Sequence, residues 1–183
     1  MDESVDARQA LRVAAQLLAV ALLSPLTLGL VGGAVGAGAW ARDQLPLTFR
    51  PTPAAPADMA ALWLHNLSAV TLPLLGAAAL SALGCSAGTW RTVRALLDAL
   101  LAVGGAGNLL ILAVSVAGYG PLRLARWLPH LPFEFAALAI GATAYLVARR
   151  VPLRPVELTA AAAAAVVLLG VAALLETYGV PHR

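Results

Sequence analysis

Charged residues are confined to short segments of this chain, and long apolar runs separate those segments. Four stretches between successive charged residues hold no charge. They lie between Arg12 and Arg42, between Asp58 and Arg91, between Asp98 and Arg123, and between Glu157 and Glu176. A further apolar run, Trp127 to Val147, carries only Glu134. Because about 20 apolar residues cross a bilayer core as a helix, the pattern predicts an all-α fold, a polytopic integral membrane bundle of about five transmembrane helices.

The intervals also predict where the spans begin and end. We expect one transmembrane domain over residues 1–183, with spans at about 13–40, 59–88, 97–119, 132–147 and 158–175. Residues 41–57 hold four prolines, which exclude a helix and predict an extended loop outside the membrane. Asp58 then suits the N-cap of the second span, and residues 122–127 suit one short amphipathic turn.

Arginine positions give an orientation. With a cytoplasmic N-terminus, seven arginines lie inside: Arg8, Arg12, Arg91, Arg94, Arg149, Arg150 and Arg154. Five then lie outside: Arg42, Arg50, Arg123, Arg126 and Arg183. The positive-inside rule favours this arrangement. We therefore expect a multi-pass protein of the plasma membrane with its N-terminus in the cytoplasm, and we expect the first span to be a retained anchor.

Composition excludes several classes of function. The chain is 61% hydrophobic and only 11% charged, whereas a soluble domain has about a quarter of its residues charged. The net charge of +3 comes from dispersed arginines, which does not indicate a nucleic-acid partner. Cys85 is the only cysteine, so no intrachain disulfide can form. The arginine-only basic content is typical of a G+C-rich bacterial genome.

His130 and Glu134 are the most suggestive polar pair. A carboxylate at the edge of an apolar span should be paired, hydrated or placed at a helix end. With Pro132 as the first helical residue, Glu134 would lie in the first turn, where the helix dipole favours it. Their i,i+4 spacing also fits two metal ligands or a proton relay. We expect Pro132 to take His130 off the helix, and two ligands are too few, so we predict no metal and no cofactor.

Asn66 and Asn108 are the other polar candidates, and His65 precedes Asn66 at the start of the second span. A buried asparagine in a membrane helix normally bonds to a neighbouring helix; lining a polar cavity is the alternative. Asp98 lies four residues after Arg94, which predicts an interfacial ion pair. No hydrolase, zinc-protease or phosphate-loop motif is present, so we predict no catalytic residue and no enzyme.

Glycine pairs four residues apart predict close helix packing. The clearest are Gly29 with Gly33 and Gly84 with Gly88. Such pairs let helix backbones approach closely. Packing within one bundle and contact between copies in a homo-oligomer both remain open.

The chain resembles the stage II sporulation protein M family of bacterial membrane proteins. That family carries a motif near Pro-His-Gly-Xaa-Phe-Glu-Leu-Pro-Ala, and matching places are held by Pro129, His130, Phe133, Glu134 and Ala137, with Gly141 following. His65 and Asn66 after the proline-rich loop resemble another family element; Gly84, Gly88, Thr89 and Asn108 are looser counterparts. Leu131 replaces the motif glycine, Pro132 precedes the family's proline position at Ala136, and the Asn-Gly step is missing at Asn108.

Two functions follow as expectations. The resemblance implies a membrane scaffold or complex subunit linked to cell-envelope remodelling, with the lipid bilayer and other membrane or envelope proteins as partners. The alternative is a transporter or permease subunit whose polar path is lined by Asn66, Asn108, His130 and Glu134. An intramembrane enzyme would need further polar groups near His130 and Glu134.

Overall fold

Helices fill almost all of the chain that the structure, a computed structural model, describes: residues 3–44, 55–83 and 90–179. In these residues they are α1 (Glu3–Ala34), α2 (Gly38–Gln44), α3 (Pro56–Leu83), α4 (Trp90–Tyr119), α5 (Pro121–Trp127), α6 (Leu131–Ala148) and α7 (Pro155–Tyr178). The same residues contain no strand. Helices α1, α3, α4, α6 and α7 are long and apolar enough to cross a membrane. The prediction of an all-α bundle with five spans is confirmed.

The first span ends earlier than predicted. α1 stops at Ala34 instead of Trp40, because Gly36 adopts a positive φ of 84°, a conformation that breaks the helix and that glycine tolerates. The chain then re-forms a helix, α2, through Gln44. The predicted loop 41–57 was therefore wrong at both ends, because α2 continues to Gln44 and α3 begins at Pro56. Residues 45–54 lie outside the described part.

The other helices are mostly longer than predicted. α3 begins at Pro56, a favourable first position for proline, so Asp58 lies in the first turn and is not the N-cap. α4 begins at Trp90, seven residues before the predicted start at residue 97. α6 and α7 extend slightly past both predicted ends. Residues 84–88 of the predicted second span lie outside the described part.

One order of elements occurs twice. A long helix, a glycine with positive φ, a seven-residue helix and a second long helix make up α1 to α3, and the same series makes up α4 to α6. The two glycines are Gly36, with φ 84°, and Gly120, with φ 80°. Because successive spans alternate in direction, α1 and α4 run the same way, as do α3 and α6, and α2 and α5 lie at the same end of the bundle.

Contacts between corresponding helices agree with this direction. A Cβ atom at Gly29 of α1 would lie 2.4 Å from the Cβ of Val116 in α4, and one at Gly33 would lie 3.5 Å from the carbonyl oxygen of Ala117. A later residue of α1 thus lies against a later residue of α4, so α1 and α4 are parallel. The absence of a side chain at Gly29 allows the close approach.

α6 occupies the centre of the bundle. It packs against α1, α3 and α7, and Ala137, Ala144 and Ala148 on it are buried. Small side chains suit a helix with neighbours on several sides, since backbones can approach closely. Its position places both ends of α6 among side chains from other helices.

Because successive spans alternate in direction, the start of α6 and the end of α7 lie at one end of the bundle. α2 and α5 belong to that end, which we call the α5 end. The end of α6 and the start of α4 and α7 lie at the opposite end.

Candidate functional site

Four polar side chains from three helices meet at the α5 end, and we call them the polar cluster: Asn66, His130, Glu134 and Glu176. Asn66 lies in the first half of α3, and His130 immediately precedes α6. Glu134 is in the first turn of α6, and Glu176 is in the last turn of α7. Residues far apart in sequence therefore converge because the start of α6 and the end of α7 lie beside the first half of α3.

The contacts within the polar cluster form a chain. Asn66 donates a hydrogen bond from Nδ2 to Oε1 of Glu134. Nε2 of His130 lies 3.9 Å from Oε2 of Glu176. One possible ligand atom from each of His130, Glu134 and Glu176 lies within 4.8 Å of the other two. The two carboxylates and the imidazole thus face a common point.

His130 stays on the helical path, contrary to the sequence-based expectation. Its backbone has φ −78° and ψ −25°, and its carbonyl oxygen accepts a hydrogen bond of 3.2 Å from the Glu134 amide. α6 begins at Leu131, so Pro132 is the second helical residue and not the first. A proline in the first turn replaces an amide that has no partner within the helix, and so it does not disrupt the turn that joins His130 to Glu134.

The surroundings of His130 are unusual for an imidazole. The residue is only 5% exposed, and its Nδ1 is buried without a hydrogen-bond partner among the described residues. Burial lowers the pKa of His130, and the Glu176 carboxylate partly opposes that shift. A lowered pKa favours the neutral imidazole, which can accept a proton or bind a metal through a free nitrogen.

The helix ends act differently on the two carboxylates. Glu134 lies at the N-terminal end of α6, where the helix dipole stabilises negative charge. Glu176 lies in the last turn of α7, where the dipole disfavours negative charge and no basic residue is present in that turn. The pair therefore favours a positive charge between them, either a proton or a bound cation.

Glu176 was missed by sequence reasoning. It follows the last apolar run, where a charged residue is expected at the boundary between membrane and water. The available signal was the alternation of spans, which puts the end of the fifth span beside the start of the fourth. With Glu176, the cluster has three groups that can bind a metal, where the sequence offered two.

The remaining predicted residues lie elsewhere. The His65 side chain is exposed, although it is adjacent to Asn66 in sequence. Asn108 is exposed on α4 and has no hydrogen-bond partner among the described residues. Gly29 and Gly33 pack towards α4, whereas Gly84 and Gly88 lie outside the described residues.

A second polar group lies at the opposite end. Asp98 of α4 accepts a hydrogen bond of 2.9 Å from the Tyr145 hydroxyl, and its other carboxylate oxygen lies 3.3 Å from the guanidinium of Arg149. The ion pair predicted with Arg94 on the same helix is formed with Arg149 instead. This group joins α4 to α6, and it is well separated along α6 from the polar cluster.

No protein-family model, no curated protein and no solved structure matches this chain. The resemblance to the sporulation family therefore stays a prediction.

Proposed function

We propose that this protein is a non-catalytic membrane subunit that holds other envelope proteins together. The observation that carries the proposal is the exposed face of α4 around Asn108. Residues 102–108 are all exposed in the bundle, although they lie in the middle of a membrane-spanning helix.

The chemistry of that face suits a second helix better than lipid. Cβ atoms built at Gly104, Gly105 and Gly107 would meet nothing within 4 Å, so a neighbouring backbone can approach closely there. Asn108 adds an amide without a partner among the described residues. In hydrocarbon such an amide is costly, and a hydrogen bond to another helix contributes about 0.6–2 kcal/mol.

The resemblance to the stage II sporulation protein M family supports the same proposal. The sporulation members of that family look like scaffolds for envelope remodelling, and a scaffold needs a binding face more than a reactive site. We accordingly place the chain in the plasma membrane with a cytoplasmic N-terminus, which puts the α5 end outside.

Site-specific photocrosslinking in intact cells tests this proposal. A photoreactive residue at Val103, which is 72% exposed on α4, should form an adduct with one partner membrane protein. The same residue at Val20, which is 59% exposed on α1, is the matched control and should give no such adduct. A second copy of the chain as the adduct would narrow the partner to a homo-oligomer.

Substitutions that remove a polar side chain test whether Asn108 itself binds the partner helix. Asn108→Leu should remove the Val103 adduct, whereas Thr27→Val should keep it, because the exposed Thr27 hydroxyl already bonds to the Leu23 carbonyl of its own helix at 2.9 Å. The proposal fails if Val103 gives no adduct, and also if a monomer without partners is recovered from native membranes in mild detergent.

A transporter subunit is the second candidate, and the convergence of Asn66, His130 and Glu134 favours it. Asn108 does not belong to the path in this case, since it is exposed on α4. The measurement is solute or ion flux into liposomes, with Glu134→Gln compared with Glu157→Gln. Flux that equals the flux of protein-free liposomes would remove this candidate.

A further inference from the structure

We infer that His130, Glu134 and Glu176 form a binding site for one divalent transition-metal ion, for which Zn²⁺ is the probe. This inference goes beyond the proposed function and does not depend on it. A scaffold can use such an ion to fix α6 against α7, whether or not its α4 face binds a partner.

The distances are close to those of a metal site. One ligand atom from each residue lies within 4.8 Å of the others. Zinc binds nitrogen and carboxylate oxygen at about 2.0–2.2 Å, which places ligands around one ion at about 3.3 Å from each other. Rotation of the two long glutamate side chains can close that difference without movement of the helices.

His130 gives the second, independent reason. A side chain that is only 5% exposed normally satisfies its polar atoms. Here Nδ1 has no partner among the described residues, and Nε2 faces Glu176 at 3.9 Å, which is too long for a hydrogen bond. A cation between the imidazole and the carboxylates would be bound by Nε2, which faces Glu176 and has no hydrogen bond among the described residues.

The local electrostatics also favour a cation. Glu134 and Glu176 bring two half-buried carboxylates together, and like charges at this distance repel each other. The C-terminal end of α7 adds partial negative charge beside Glu176. One divalent ion would offset both effects, whereas an apolar or anionic ligand would increase them.

The ligand atoms limit which metal ion can bind. Calcium and magnesium prefer oxygen ligands alone, so an imidazole favours zinc or a neighbouring first-row ion. Three protein ligands leave one position of a tetrahedral ion for water or a partner group. Asn66 binds no metal in this arrangement, but its hydrogen bond to Glu134 orients that carboxylate, a supporting role that is common around metal ligands.

Zinc binding to the full chain in detergent tests the inference. The protein carries a tag without histidine and the substitutions His65→Ala and His182→Ala, which leave His130 as its one imidazole. After treatment with a chelator, it is titrated with Zn²⁺ against a competing chelator, and bound metal is counted by mass spectrometry. We expect one Zn²⁺ per chain.

The variants make the assignment specific. Asn66→Leu should weaken zinc binding about 10- to 100-fold, as expected for a residue that supports a ligand. Glu176→Gln and Glu134→Gln, which keep the side-chain size, should weaken it further, and Glu157→Gln at the opposite end should leave it unchanged. The inference is overturned if Glu176→Gln binds zinc as tightly as the parent, the protein with only His65→Ala and His182→Ala.

The parent protein alone gives a decisive result if a variant fails to fold. Co²⁺ bound by the parent should produce visible absorption that one equivalent of Zn²⁺ displaces. A folded, monodisperse parent that binds neither Co²⁺ nor Zn²⁺ above the level of protein-free detergent would overturn the inference.

Discussion

At the scale of single residues, the close contact between α1 and α4 depends on the absence of a side chain at Gly29. A Cβ at Gly29 would lie 2.4 Å from the Cβ of Val116 and 2.6 Å from the carbonyl oxygen of Ala113. One of these neighbours is backbone, so it cannot rotate away. At Gly32, one turn further along α1, the nearest atom would be the Ala117 Cβ at 3.4 Å, an ordinary contact.

This difference predicts the effect of adding one methyl group. Gly29→Ala should lower the stability of the bundle by about 1–3 kcal/mol, because the added atom forces the helices apart. Gly32→Ala is the matched control on the same helix and should be neutral or slightly stabilising, because alanine favours a helix more than glycine does. Thermal unfolding in detergent, followed by tryptophan fluorescence, measures both, and equal midpoints for the two variants would contradict the close approach.

Tyr145 carries the polar contact at the opposite end. Its hydroxyl donates to Asp98 at 2.9 Å, and its ring lies against Gly76, where a Cβ would be 3.0 Å away. Tyr145→Phe keeps the ring and removes the hydrogen bond, so we expect a loss of about 1–3 kcal/mol. Tyr178→Phe, at a site 46% exposed, is the control. Identical chemical-unfolding curves for both variants would show that the hydroxyl contributes nothing.

At the scale of elements, one arginine side chain adds a hydrogen bond to the packing of α2 against α4. The Arg42 guanidinium donates a hydrogen bond of 2.8 Å to the carbonyl oxygen of Gly118. The last carbonyl groups of a helix have no partner within it, and a nearby arginine can satisfy them. A helix of seven residues is too short to be stable alone, so its order depends on such contacts.

Arg42→Met should therefore loosen α2 without unfolding the bundle. We expect faster amide hydrogen exchange over residues 38–44 and unchanged exchange in α6. The exposed neighbour Asp43, changed to Asn, supplies the control and should exchange like the parent. If Arg42→Met leaves exchange in α2 unchanged, packing of Ala41 and Gly38 holds the helix instead.

At the scale of the whole molecule, five alternating spans place the start of α1 and the end of α7 at opposite ends of the bundle. The α5 end then contains α2 and the end of α7, and the opposite end contains the connection after α6. The excess of arginines on the N-terminal side favours a cytoplasmic N-terminus. With the cytoplasmic N-terminus that we propose, the polar cluster would lie on the outer side.

Cysteine labelling with a membrane-impermeant reagent checks this topology. In a Cys85→Ser background, Asp43→Cys and Gly179→Cys should react in intact cells. Arg150→Cys should react only after the membrane is opened. Labelling of Arg150→Cys alone in intact cells would reverse the orientation, and labelling of Asp43→Cys without Gly179→Cys would contradict five spans.

The number and type of elements followed from sequence because lipid imposes one strong rule. Every backbone polar group inside hydrocarbon needs a partner, so an apolar run of bilayer length has to be a helix. The boundaries were less certain, since interfacial residues such as 90–96 can continue a helix or leave it. At Gly36 the backbone conformation decided the end of α1, and hydropathy alone carries no such information.

The sequence by itself determined an all-helical membrane bundle and drew attention to Asn66, His130 and Glu134. Only the tertiary structure decided that these three meet Glu176, that His130 continues the turn into α6, and that Asn108 lies apart on an exposed face of α4. The physical reason is that hydropathy is a property of each segment. A site made of side chains from three helices depends on which faces pack together, and that is decided by contacts between residues far apart in the chain.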